Sequence, residues 1–175
     1  MNRENDVSAV LQQYSAETGV HSVQKVEQDF VAIAQHVPAG DLTGGLAQAI
    51  HSEQTPPFDE LMRDSYMRGG ATQRAAMLKR LLDGASAEVL RPLVNDNVFP
   101  HVDVARQSLA AVHVDESIAG QLAPETFQQV ARLAVEEDPA VIDRMIEFYA
   151  IDPDAGRTLG GAALSVAMGK VADNR

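Results

Sequence analysis

Residues 158–171 (TLGGAALSVAMGKV) are the one helix-sized stretch that is apolar or small on every side, with charge only near its ends, at Arg157 and Lys170. A helix that is apolar all round is normally buried all round. Fourteen residues reach about 21 Å as a helix. A bilayer core needs about 20 apolar residues over roughly 30 Å, so no transmembrane span is expected. Gly161, Ser165 and Gly169 stand four apart and fall on one ridge, where a second backbone can approach closely. The glycines of this run, Gly160, Gly161 and Gly169, each cost roughly 1 kcal/mol relative to alanine inside a helix. Tight packing against a neighbour offsets that cost. The leading expectation is therefore a core helix of a bundle. Two other readings are self-association through Gly161, Leu164, Ser165, Met168 and Gly169, and an interfacial membrane helix.

The rest of the chain reads as amphipathic helices. Val7, Val10, Leu11 and Tyr14 follow a 3.6-residue period up to Gly19. Ser22 is placed to cap a helix with the stripe Val23, Val26, Phe30, Ile33 and Val37, closed by Pro38. A shorter helix starts near Asp41 or Thr43, carries Leu46 and Ile50, and stops at Pro56-Pro57. Helices are then expected over 58–68 and 72–82, separated by Gly69-Gly70, with a sixth after Ser86 that Pro92 shortens or kinks. Residues 95–101 read as a loop, and 105–111 as helix despite the strand-like alternation of Val102/Val104 and Val112/Val114. Pro124, Pro139 and Pro153 mark the starts of three last helices, near 124–136, 139–150 and 154–171. Asp138 and Asp152 are natural caps for two of them. The fold class expected is all-α, a helical bundle in two helical subdomains. These are an N-terminal region over 1–94 with the basic helix pair and an acidic C-terminal region over 104–175, joined by a linker or hinge over 95–103.

Composition narrows the function. A chain of 175 residues buries roughly 70% of its unfolded surface and needs no staple. There is no cysteine, hence no disulfide framework, thiolate metal site or cysteine nucleophile. That fits a reducing cytoplasm, as does the polar opening Met1 to Asp6 with no apolar signal segment after it. Aromatic residues are 5% with no tryptophan, which argues against stacking platforms for single strands. The net charge of −11 disfavours non-specific nucleic-acid binding. Charge is uneven: residues 61–91 hold six bases against three acids, and residues 101–155 hold eleven acids against three bases. The two parts can attract each other within one molecule or between molecules.

No catalytic constellation is expected. None of His21, His36, His51, His101 and His113 lies i, i+4 from another, and His101-x-Asp103 alone is not the three or four converging ligands of a metal site. Glu136-Glu137-Asp138 reads as a solvated turn. Ser108, Ser117 and Ser165 lack a nucleophile-elbow context, and the glycine pairs 44–45, 69–70 and 160–161 lack the Lys-Ser/Thr of a phosphate loop. The reading is of a protein with no enzymatic activity, metal or cofactor. The strongest alternative is helix-turn-helix DNA binding by residues 58–84, with Gln73, Arg74, Lys79 and Arg80 on or near the second helix.

Several stretches resemble a known family: residues 45–50 (GLAQAI), 54–58 (QTPPF), 73–78 (QRAAML), Leu81-Leu82, Pro124-Glu125, Asp138-Pro139, 148–150 (FYA) and 158–170. Together they look like the YidB-like uncharacterised bacterial proteins, over about two thirds of the chain. The resemblance implies an all-helical fold with a homeodomain-like three-helix unit. It brings no established activity and no catalytic residues. The function expected is a protein-interaction or scaffold module that acts through a protein partner or self-association, in the bacterial cytoplasm.

Overall fold

The computed structural model describes residues 3–15, 21–96 and 114–174. Among them every regular element is a helix and no strand occurs, so the all-α bundle is observed. The chain divides into two compact units, one of Met1–Pro57 with Ile146–Arg175 and one of Phe58–Met145.

The first unit contains α1 (Arg3–Ser15), α2 (Val23–Ala34), α3 (Ala39–Ile50), the end of α9 (Ala140–Ile151), α10 (Pro153–Gly156) and α11 (Gly161–Asp173). Ser22 caps α2, its Oγ accepting from the Lys25 N–H at 3.4 Å. One turn on, the apolar stripe takes over: Val26, Phe30 and Ile33 are buried. Val23, expected on the same stripe, stays half exposed in the first turn. At the centre lies α11, packed against α3, α1 and α2 with Ala163, Leu164, Ala167, Met168 and Val171 buried.

Two glycines mark close approaches in this unit, one of them between α3 and α11. A Cβ at Gly45 would stand 2.6 Å from the Ala167 carbonyl oxygen and 2.8 Å from Val171 Cγ2. The backbones of α3 and α11 therefore touch where a side chain would separate them. A Cβ at Gly156 would meet the Phe30 ring at 2.5 Å and the Tyr149 carbonyl oxygen at 2.8 Å.

The last expected helix, 154–171, is broken. Asp152 caps α10, its Oδ1 accepting from the N–H groups of Asp154 and Ala155 at 3.1 and 3.2 Å. Arg157–Leu159 then form a 3-10 turn, with Thr158 Oγ1 donating to the Ala155 carbonyl at 2.6 Å. Gly160 turns the chain at φ 91° and ψ 158°, a region essentially closed to other residues. The apolar run is thus a buried turn followed by a helix, because its glycine pair serves as a joint.

The second unit holds α4 (Phe58–Arg68), α5 (Ala71–Leu82), α6 (Ala87–Asn95), α7 (Glu116–Gln121), α8 (Pro124–Glu137) and the start of α9. Its core includes Leu61, Met62, Tyr66, Leu78, Leu81, Phe127 and Val130. Tyr66 stacks on Phe127 with centroids 4.2 Å apart. Its hydroxyl reaches the carbonyls of Ala119 and Leu122, the latter at 3.0 Å, and ties α4 to the α7–α8 connection. Ser86 caps α6 and donates its N–H to Glu137 of α8 at 2.8 Å. Pro92 sits buried inside this nine-residue helix.

These units cut the chain differently from the expected 1–94, 95–103 and 104–175. Of the expected hinge, only Asn95 and Asp96 are described, and they close α6. The helix expected at 105–111 lies outside the described residues. The boundaries at 57/58 and 145/146 have a physical origin: α11 buries its apolar face on helices from the start of the chain. Local composition carries no trace of that long-range pairing.

The neighbouring glycines of α3 give opposite predictions. Gly45→Ala must push α3 from α11, and should lower unfolding stability by about 1–3 kcal/mol. Nothing lies within 4 Å of a Cβ at Gly44, so Gly44→Ala should raise stability by up to about 1 kcal/mol. Urea unfolding of both variants checks this, and shifts of the same sign contradict the packing.

Candidate functional site

In the first unit a polar cleft of about 790 Å³ runs beside α11. The end of α1 gives it Gln13, Tyr14 and Ser15; His21 precedes the α2 cap; Ser52 and Gln54 follow α3; Ser165, Val166, Gly169, Lys170 and Asp173 come from α11. Beside the cleft α11 approaches α1 across a glycine: a Cβ at Gly169 would lie 3.1 Å from the Tyr14 carbonyl oxygen.

One wall is held by a short network. The Tyr14 hydroxyl donates to Asp29 Oδ2 at 2.7 Å, and Lys25 Nζ donates to the same oxygen at 2.5 Å and to Gln13 Oε1 at 3.4 Å. Burial first, and then the hydrogen bond to Asp29, hold the Tyr14 phenol far above its ordinary ionisation range. It stays protonated and is unsuited to act as a base. The His21 ring lies 4.8 Å from the Tyr14 ring, tilted by 47°. Its Nε2 is enclosed, with no hydrogen-bond partner among the described residues. Hydroxyls, amides, an imidazole, an amine and a carboxylate thus line a cleft whose phenol is held by its bond to Asp29. That arrangement suits binding better than proton transfer.

The expected interaction residues separate into two groups. Ser165 and Gly169 line the cleft, while Gly161 lies against Val23, 3.5 Å from Cγ2 to a Cβ built there. Leu164 and Met168 are fully buried and packed within their own unit. The expected basic helix pair is present as α4, Gly69-Gly70 and α5, but three of its four candidates, Gln73, Arg74 and Arg80, hold contacts within the unit. Arg74 Nε donates to the Tyr66 carbonyl at 2.8 Å and Nη2 to the Met67 carbonyl at 3.1 Å, and its guanidinium lies 4.9 Å over the Tyr66 ring. It caps the end of α4, where a cation meets the negative pole of the helix. Burial raises the Tyr66 ionisation range and Arg74 partly opposes that. Gln73 leans on Gly69, with Nε2 3.4 Å from Ser65 Oγ. Arg80 Nη1 donates to the Ala76 carbonyl at 3.4 Å, and Lys79 is exposed.

Sequence reasoning named Ser165 and Gly169 but missed Gln13, His21, Ser52, Gln54, Lys170 and Asp173 as one lining. The i, i+4 pair Lys25–Asp29 was legible on α2; its bond to Tyr14 depends on tertiary packing. Among the described residues no group of three or more His, Asp or Glu is placed to hold a metal ion, and no helix is long and apolar enough to cross a membrane. His101, Asp103 and His113 lie outside the described residues. Compared with family models, curated proteins and solved structures, the chain gives no match.

Arg74→Ala should cost about 1–3 kcal/mol of stability through the two carbonyls it leaves bare. Lys79→Ala on the same helix should cost about 0.5 kcal/mol or less. Thermal unfolding of the two variants separates a capping role from a solvated one, and equal effects contradict the cap.

Tyr14 has a folded pKa above the ordinary 10.0. Its contribution to stability is therefore complete below pH 10 and is lost as pH rises beyond it. An ultraviolet titration should show a late ionisation in the wild type that is missing in Tyr14→Phe. Ionisation of Tyr14 at or below the free value contradicts the network.

Proposed function

We propose that this chain is a non-enzymatic protein-interaction module whose docking place is the polar cleft beside α11. The observation that carries this reading is the lining itself. Small hydroxyl and amide side chains that both donate and accept hydrogen bonds surround a helix edge made low by Gly169 and Ser165. An extended segment of another protein offers alternating N–H and C=O groups that such a lining satisfies. The cleft also falls within the size range of ordinary ligand sites, about 300–1,000 Å³.

Self-assembly through α11 is the narrower form of the proposal. Only Gly161, Ser165 and Gly169 serve it, since Leu164 and Met168 face the core. Peripheral membrane association has less support, because Leu159, Leu164, Met168 and Val171 are buried within their unit. DNA binding by residues 58–84 has less support too, because Arg74 is engaged in holding α4. Kinship with the YidB-like bacterial proteins, and a cytoplasmic setting, belong to the same proposal. In its favour, two stretches that carry the resemblance, 45–50 and 158–170, include the helix pair that packs at Gly45. The homeodomain-like unit implied by that kinship is proposed for α4 and α5 with their neighbours.

Selection of peptides from a random phage library on the full chain tests the docking place. Enrichment should occur on the wild type and collapse on Ser165→Phe, which fills the cleft from the α11 side. Enrichment that ignores Ser165→Phe, or substrate turnover in a broad activity screen, contradicts the proposal.

A further inference from the structure

We draw no further inference here: the strongest candidate, the apolar hollow of about 200 Å³ between α1 and α2 that is lined by Asp6, Val7, Val10, Ala32, Ile33 and His36, carries none because nothing in the structure shows what covers it.

Discussion

The first unit depends on a contact between two backbones. α3 and α11 meet at Gly45, where a single methyl group would collide with the Ala167 carbonyl oxygen. Dispersion falls off steeply with separation, so a close crossing gains contacts that a side chain would forfeit. That gain sets against the helix-weakening effect of the glycine. It also fixes α11 between the N-terminal helices, with Leu164, Met168 and Val171 inward and Ser165 and Gly169 toward the cleft. The shape of the candidate site follows from the depth at which α11 is seated.

The second unit is organised around a polar group instead. Tyr66 is buried, stacked on Phe127, bonded through its hydroxyl to the α7–α8 connection and covered by the guanidinium of Arg74. A buried hydroxyl is costly unless its hydrogen finds an acceptor, and here it finds backbone carbonyls that also lack helical partners. Arg74 performs a matching task at the end of α4. The basic stretch of the sequence is therefore at least partly structural. Arg91 pairs with Glu88 on α6, and Arg144 reaches Asp138 at 3.0 Å and the Asp83 carbonyl at 3.2 Å. Of the bases in that stretch, Arg74 acts at a helix end, while Arg91 holds a neighbour on its own helix.

The local rules of the sequence served well where structure is local. Ser22 and Asp152 cap as expected, Pro124 and Pro153 open helices, and Val26, Phe30 and Ile33 form one buried stripe. The short α7 was missed: six residues hold too little periodicity to read, although Asp115 was available as its cap. Gly161 read as part of a ridge and Gly160 as a residue inside the same helix because spacing alone cannot tell a helix interior from a joint; the positive φ of Gly160 decides it. Arg74 read as a surface cation because a sequence does not show which carbonyls lie eight residues away. The cleft escaped because its lining comes from separate segments, joined only after α11 folds back onto α1 and α3.

The central claim is that α11 is the core of its unit and that its outward edge forms the cleft. Native-state hydrogen exchange on the backbone amides of α11 tests it most directly. Amides of a core helix open only with the unit itself. The account predicts that Leu164, Ala167, Met168 and Val171 exchange with the free energy of global unfolding of that unit, and that Gly45→Ala lowers their protection in step. Exchange of these amides at the rate of an exposed, independently fraying helix would contradict it.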